Sequence, residues 1–432
     1  MTQRLLLGCI ADDFTGATDL ANNLVRAGMR AIQTIGIPTE PLRADVDVVV
    51  VALKSRTNPV AEAVAQSLDA LCWLQAQGAQ QIYFKYCSTF DSTSQGNIGP
   101  VTEALMQAMA TDFTIATPAF PDNGRTVFKG HLFVGDVLLN ESGMQHHPLT
   151  PMTDANLVRV MQSQCQSSVG LIDFKTVAQG EAAIRARIEA LKLQGCRIAI
   201  VDALSNEDLM RLGPALRDMP LLTAGSGVAI GLPQNFGLRP TPTTSALPRV
   251  QGKQAVIAGS CSSATQKQVA HFKAQGLPAL ALDPARLVQD DASHQAAVAE
   301  ALAWAASHLT QAQGPVLIYS TASPDSVKAA QAQYGVQVVG DRVEHALAAI
   351  AQGLTQLGVA QLIVAGGETS GACVQALGIT QLQIGMQIDP GVPWCHAHTA
   401  QGGMHITLKS GNFGSEDFFV KAFHQLAEAV AL

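Results

Sequence analysis

The chain has 432 residues, material for two or three domains with a core each. Apolar residues make up 47% and charged residues 14%, below the roughly 25% charged content usual in globular proteins, which favours large buried sheets over a charged helical surface. A net charge of −7 supplies no basic footprint for nucleic acid, and no apolar run approaches the roughly 20 residues of a membrane helix.

The apolar run 5–10 meets Asp12 and Asp13 at once, too short and too soon acidic for a signal peptide. The eight cysteines (Cys9, Cys72, Cys87, Cys165, Cys196, Cys261, Cys373 and Cys395) show no C-x-x-C pair, so reduced thiols in a cytoplasmic protein are expected. Through residue 231, apolar runs at 5–10, 46–51, 82–86, 113–117, 169–172, 198–201 and 221–223 alternate with helical patterns. That rhythm predicts an α/β fold, a mainly parallel sheet with flanking helices whose ligands gather beyond the carboxyl ends of the strands.

Polar residues crowd just after those strands. Asp12, Asp13, Thr15, Gly16 and Asp19 follow the first, and Lys54, Ser55, Arg56, Thr57 and Asn58 the second. Lys85, Ser88, Thr89, Asp91, Ser92, Thr93, Gly96, Asn97 and Gly99 come with the third, and Asp122, Asn123, Arg125, Lys129 and His131 after the fourth. Such a set suits a small polyhydroxy acid: cations fix a carboxylate, Asp and Asn fix hydroxyls. Any one of them could equally be a turn or N-cap residue, as Asp13 or Thr15 would be for the helix over 20–25. The accumulation carries the reading.

Residues 232–252, with Pro233, Pro240, Pro242 and Pro248, read as an extended linker between a domain over 1–231 and another over 253–432. Just before it, 221–231 has the spacing G-x-G-x-x-x-G with no acidic residue about 20 positions on, so a closing strand-to-helix turn is preferred to a nicotinamide site. Beyond the linker the alternation resumes at 255–258, 279–282, 316–318 and 362–365, and Ser320 to Asp325 reads as a serine cap with Pro324 in the first helical turn. The stretches 383–388, 393–398 and 405–409 look like added antiparallel strands, the last two joined near Gly402 and Gly403.

Three turns of the second domain share one logic. LIVAGGETSGACVQAL (362–377) is a buried strand, a turn through Gly366, Gly367, Glu368, Thr369, Ser370 and Gly371, and a helix start. Residues 255–263 repeat it with Gly259, Ser260, Cys261, Ser262 and Ser263, and 406–414 runs into Ser410, Gly411, Asn412, Phe413 and Gly414. Bare amides and the positive end of a helix dipole invite phosphate, and glycine lets it approach the main chain. Their convergence predicts a nucleotide cleft.

Other chemistries find less support. There is no G-x-x-x-x-G-K-[ST], no protein-kinase signature set and no G-x-S-x-G. Asp12-Asp13 lacks the D-x-D spacing of aspartyl-phosphate phosphatases. His396 and His398 share a face of one strand, with Cys395 adjacent and His405 across the hairpin; they could form a metal site, but without a patterned fourth ligand a structural or surface role is preferred.

Taken together, ADDFTGATDLANNLVRAGM, KYCSTFDSTSQGNIGPV, PAFPDNGRTVFKGHLFVGDVLLNESGM, HPLTPMTD, GSCSSATQKQV, AGGETSGACV and LKSGNFGSEDFF closely resemble the four-carbon acid sugar kinase family, in order and over nearly the whole length. The resemblance implies an N-terminal sugar-acid-binding domain, a C-terminal ATP-binding domain and phosphorylation of the terminal (C4) hydroxyl of a four-carbon sugar acid. Within the family it points to 3-oxo-tetronate, with threonate and erythronate as substrates of sister members. By motif it assigns ATP contacts to Ser260, Gly366, Gly367, Glu368, Thr369 and Gly411. Mg²⁺ is expected with ATP, and no protein ligand is assigned to it.

A carboxylate should accept the proton of the attacking hydroxyl: Asp12 or Asp13, with Asp91 in reserve. Arg56 and Lys85 would hold the substrate carboxylate, Asn123 a hydroxyl, and Lys129 would offset charge on the transferring phosphate. The expected partners are a sugar acid and ATP, without nucleic acid or membrane, and a homo-oligomer is left open. Two rivals stand beside this: an isomerase or aldolase whose second domain holds a substrate phosphate, and a non-catalytic ligand-binding protein.

Overall fold

The computed structural model describes residues 5–39, 42, 45–146, 150–311, 314–320 and 334–431. They form two compact units, Met1–Ser245 and Ala246–Leu432. Residues 321–325 of the expected serine-cap turn and 147–149 of the HPLTPMTD motif lie outside the described residues.

The first unit is built on eight strands: β1 (Leu7–Ala11), β2 (Ala31–Ile35), β3 (Val48–Ala52), β4 (Gln81–Lys85), β5 (Thr114–Thr117), β9 (Ser168–Ile172), β10 (Cys196–Val201) and β11 (Leu221–Ala224). They lie in the order β2-β3-β1-β4-β11-β5-β10-β9 and every pair is parallel. Runs such as LGCIA and VVVVA are buried at every position, as a sheet covered on both faces requires. The strand β2 was hidden because Gln33 and Thr34 interrupt its apolar run. Gln33 is buried all the same, accepting from Thr18 Oγ1 at 2.7 Å and donating to the Phe14 carbonyl at 3.2 Å.

From β1 the chain crosses to β2 and β3 on one side, then to β4 on the other. This reversal falls at β1, β3 and β4, and the carboxyl ends of strands at such a reversal are where open α/β sheets bind ligands. A three-stranded antiparallel sheet, β6 (Arg125–Phe128), β7 (His131–Val134) and β8 (Val137–Leu138), interrupts the alternation after β5. It was not legible in the sequence.

The second unit orders β12 (Lys253–Ala258), β13 (Ala279–Ala281), β14 (Val316–Tyr319), β15 (Val359–Ala365), β16 (Gln381–Asp389), β17 (Val392–Thr399) and β18 (Gly402–Lys409) as β13-β14-β12-β15-β18-β17-β16. The pairs from β13 to β18 are parallel, while β17 runs antiparallel to both β18 and β16. One core packs Val256, Ile363 and Trp394 against Phe418, Phe419 and Phe423 of the helix Phe418–Ala431, and the Trp394 indole N–H donates to the Ala422 carbonyl at 2.9 Å.

The boundary between the units falls inside the stretch read as an extended linker, but that stretch is fastened rather than free. Leu232 and Pro233 are buried, Pro233–Phe236 forms a 3₁₀ turn, and Asn235 donates to the Gly213 carbonyl at 2.7 Å. On the other side Leu247 packs against the second core, and the Pro248 carbonyl lies 2.9 Å from His405 Nε2.

Candidate functional site

In the first unit the main chain brings the polar residues together before their side chains act. The Asp12 N–H donates to the Lys85 carbonyl (3.1 Å), and the Ser55 and Arg56 N–H groups donate to the Asp12 carbonyl (3.0 and 3.2 Å). Asn97 pins the turn from across, its amide nitrogen lying 2.9, 3.1 and 2.9 Å from the Ser55, Arg56 and Asn58 carbonyls. Arg56 then forks onto both acids: Nε to Asp12 Oδ2 at 2.9 Å, Nη2 to Asp12 Oδ1 at 2.8 Å and to Asp13 Oδ1 at 2.6 Å. Lys85 Nζ stands 3.5 Å from Asp13 Oδ1, and Thr15 Oγ1 donates to Asp13 Oδ2 at 2.8 Å. A Cβ on Gly16 would lie 1.8 Å from Lys85 Nζ and 2.2 Å from Asp13 Oδ1, so a side chain here would displace both members of the Lys85–Asp13 pair.

The quartet carries two positive and two negative charges, and its members differ in basicity. Burial alone would raise the Asp13 carboxyl, but Arg56 and Lys85 outweigh it and hold it well below the usual range. At Asp12 burial wins and the pKa rises despite Arg56. Burial likewise opposes the Arg56 charge, yet Asp12 and Asp13 keep its pKa well above the ordinary value.

Two residues that sequence reasoning noticed without giving them a role stand close by. Asp19, in the second turn of the helix Phe14–Arg26, is 7% exposed and accepts a hydrogen bond from Ser226 Oγ. Burial pushes its carboxyl up to about 6 in spite of Lys85 and Ser226, and its Oδ1 has no partner among the described residues. Arg125 lies near enough to Asp19 to act on its charge, and its buried Nε is likewise unpartnered. The available signal was an aspartate set among the apolar residues of a helix, and an arginine at the start of the unrecognised hairpin. Ser226 ties that helix to β11, since Asn23 also donates to its carbonyl at 3.2 Å. A Cβ on Gly227 would lie 2.2 Å from the Ala119 carbonyl oxygen, so glycine here allows close packing of main chains.

The other expected residues divide. Asp91 follows Phe90, whose φ of +53° is in the left-handed region, and accepts from Thr89 Oγ1. Asn123 ends the 3₁₀ turn Pro121–Asn123, where its carbonyl accepts from the Arg125 guanidinium. Lys129 stands apart from the quartet. Its ammonium is 3.1 Å from Asp173 Oδ2 and lies over the Phe174 ring. Its N–H and that of Gly130 donate to Asp202 at 2.7 and 2.8 Å. Asp173 and Asp202 follow β9 and β10, five and four strands from β1, on the order of 20 Å away at one strand per roughly 4.8 Å. Lys129 therefore does not join the quartet.

In the second unit the carboxyl ends of β14, β12, β15 and β18 meet around glycines. The Gly259 and Ser260 N–H groups donate to the Ala365 carbonyl (2.9 and 3.2 Å), Gly366 N–H to Lys409 (2.8 Å) and Ser320 N–H to Ala258 (2.9 Å). A Cβ on Gly259 would come within 2.2 Å of Thr369 Oγ1, and one on Gly411 within 2.3 Å of Ser260 Oγ. Gly366 has a φ of +137°, where a side chain is strained, and its Cβ would meet Thr369 Oγ1 at 2.8 Å. Gly367 opens the helix Gly367–Ala376, with free space around its Cα and Glu368 in the first turn.

These turns border a cavity of about 270 Å³ lined by Ser260, Cys261, Ser320, Gly366, Gly367, Glu368 and Thr369, and by Glu344 of the helix Val336–Gln356. Hydroxyls, glycine amides and a helix N-terminus suit phosphate. The rings of His396 and His398 lie 4.9 Å apart and those of His396 and His405 6.0 Å. Burial pushes the His396 pKa down to about 4. Among the described residues no group of three or more His, Cys, Asp or Glu is placed to hold a metal, and no helix is long and apolar enough to cross a membrane.

Residues 7–232 match the family model of a sugar-binding N-terminal domain, and residues 255–419 that of a nucleotide-binding C-terminal domain. Proteins named 3-oxo-tetronate kinase from Burkholderia multivorans and Cupriavidus necator are 58% and 57% identical to this chain, over 98% and 99% of its length and 98% of each of theirs. One from Pectobacterium atrosepticum is 47% identical over 98% of this chain and 99% of its own. Among solved structures, one from Salmonella typhimurium LT2 is 45% identical with a TM-score of 0.90, covering 97% of this chain and 99% of that one. Another, from Haemophilus influenzae, is 45% identical with a TM-score of 0.83, covering 96% and 99%.

Proposed function

Because this chain belongs to the four-carbon acid sugar kinase family, we propose that it is an ATP-dependent kinase that phosphorylates the C4 hydroxyl of 3-oxo-tetronate. The observation that carries the reading is that the glycine-rich cavity, suited to phosphate on physical grounds, lies within the part of the chain matched by the nucleotide-binding model. A cluster of paired acids and cations lies in the part matched by the sugar-binding model.

The residues fit ATP. At Gly259, Gly366 and Gly411 the room a Cβ would take is filled by Thr369 and Ser260, the hydroxyl residues that border the cavity with Gly366 and Gly367. Amides and hydroxyls there would hold phosphate oxygens, with the dipole of the helix Gly367–Ala376 adding to the attraction. Mg²⁺ would come with the nucleotide and neutralise phosphate charge, and Glu368 is the carboxylate on the turn that could reach its water shell.

In the first unit Arg56 is already engaged by Asp12 and Asp13, which makes it the organiser of the acids rather than a free clamp. Arg125, whose buried Nε has no partner among the described residues, and Lys85, paired to a single acid oxygen at 3.5 Å where Arg56 makes three hydrogen bonds, are the less committed cations for the substrate carboxylate. Asp13 is the acid to receive the hydroxyl proton: its side chain is 25% exposed against 7% for Asp12, and Asp91 is held by Thr89. The O4–phosphorus bond forms as the bond to ADP breaks, and the O4 proton passes to Asp13. Phosphoryl transfer depends more on positioning than on a strong base, so an acid held ionised by two cations serves. The eight cysteines are free thiols, in keeping with a reducing compartment such as the cytoplasm.

An ADP-release assay over 3-oxo-tetronate, threonate and erythronate, with phosphorus NMR of the product, tests the reading. ADP formed one-to-one with a 4-phosphate of 3-oxo-tetronate is expected. Preference for threonate or erythronate would overturn the substrate, and conversion of a phosphorylated acid without ATP would overturn the kinase.

A further inference from the structure

Lys409 ends β18 and is 0% exposed. Its ammonium is ringed by neutral oxygens: Thr265 Oγ1 at 3.2 Å, the Ser410 and Gly411 carbonyls at 3.0 Å each, and the Phe413 carbonyl at 3.1 Å. Ser262 Oγ and Thr265 Oγ1 draw the Gly411 carbonyl to the same side, at 2.6 and 2.9 Å. A lysine buried in this way is costly without a counter-charge. Among the described residues no carboxylate is a hydrogen-bond partner of the ammonium.

The carbonyl directions fix the amides. In a trans peptide C=O and N–H point in opposite directions. With the Ser410 and Gly411 carbonyls turned to the ammonium, the next N–H groups, of Gly411 and Asn412, face away from it. Neither makes a hydrogen bond among the described residues, although the Phe413 N–H does, to Ser410 at 3.1 Å. Gly411 lies against Ser260, which lines the cavity, and two successive amides of a turn without partners among the described residues are the kind of group that takes an anion.

We infer that Lys409 is a positioning residue for the nucleotide: it winds residues 410–413 so that the Gly411 and Asn412 amides present a nest to a phosphate group, and the phosphate supplies the counter-charge its ammonium lacks. The inference deepens the kinase reading and rests on it. Burial lowers the Lys409 pKa to about 8, and neither Glu368 after β15 nor Lys267, His271 and Lys273 on the helix Ser263–Ala274 contributes. A phosphate brought near would raise it, so the protein should take up a proton on binding ATP at pH 8.5, and lose affinity as pH rises above 8.

The test is calorimetry of ATP binding to the full chain at pH 8.5, in two buffers of different ionisation heat, for the wild type, Lys409→Met and Lys409→Arg. Uptake of a substantial fraction of a proton is expected for the wild type and none for Lys409→Met. In turnover Lys409→Met should raise the KM for ATP at least 30-fold, with the KM for the acid within twofold, and Lys409→Arg should restore part of the loss. The wild-type measurement stands even if Lys409→Met fails to fold. No proton uptake by the wild type, or a folded Lys409→Met with unchanged ATP affinity, would overturn the inference while leaving the kinase reading intact. A wild type that binds no ATP would overturn both.

Discussion

At the sheet edge of the first unit the polar groups are ionised side chains, Asp12, Asp13, Arg56 and Lys85, whose arrangement depends on one another. At the sheet edge of the second unit main-chain amides and hydroxyls predominate beside the carboxylates of Glu344 and Glu368, set by where glycine allows close approach, with the Lys409 ammonium buried beneath a turn. The contrast follows from the guests proposed for each. A short sugar acid must be told from near relatives by hydroxyl and carboxylate positions, which calls for directional side chains. A triphosphate offers many equivalent oxygens, which amides and a helix terminus satisfy.

Removing ionised groups should therefore damage the two regions differently. The largest effect expected is Asp13→Asn, with kcat lowered about 10²- to 10⁴-fold and ATP affinity unchanged by calorimetry. An equal loss of ATP affinity would erase the distinction. Arg56→Ala leaves the buried Asp12 and the partly exposed Asp13 without their shared partner and should destabilise the chain by about 3 kcal/mol in urea unfolding. A loss below 1 kcal/mol would mean the fork is dispensable.

Asp19 tests the sign of a buried charge. Its pKa is raised from an ordinary value near 4 to about 6, so the folded state binds the proton more tightly and stability falls as pH climbs through that window. Asp19→Asn should stabilise the protein by at most about 3 kcal/mol at pH 7.5 and lose this advantage by pH 4. Unfolding curves at the two pH values decide it, and a destabilised variant at pH 7.5 would show that the carboxylate is needed ionised. The smallest effect is Arg125→Met, where the KM for the acid should rise about tenfold, or 1.4 kcal/mol, with the KM for ATP unmoved.

What could be read from the sequence divides along the same line. The turns at Gly259, Gly366 and Gly411 were visible because their geometry demands glycine, and a residue type that geometry demands leaves a mark in the chain. The parallel sheets were visible in runs such as VVVVA. The antiparallel addition was visible too, as the alternation over 383–409. Charged residues could be counted at the strand ends but not paired. That Arg56 belongs to Asp12 and Asp13, while Lys129 turns to Asp173, is decided by tertiary packing and by the hairpin β6–β8. Lys409 was hidden for a related reason: at the end of a strand it looks like any solvent-facing lysine, and only the inward carbonyls of Ser410, Gly411 and Phe413 show otherwise.

The central claim, that main-chain turns of the second unit hold the nucleotide while side chains of the first hold the acid, is tested most directly by titrating Gly366→Val with Mg-ATP and, separately, with 3-oxo-tetronate in a calorimeter. ATP affinity should be at least tenfold weaker and acid affinity within twofold of the wild type. A folded Gly366→Val that binds ATP as the wild type does would contradict it.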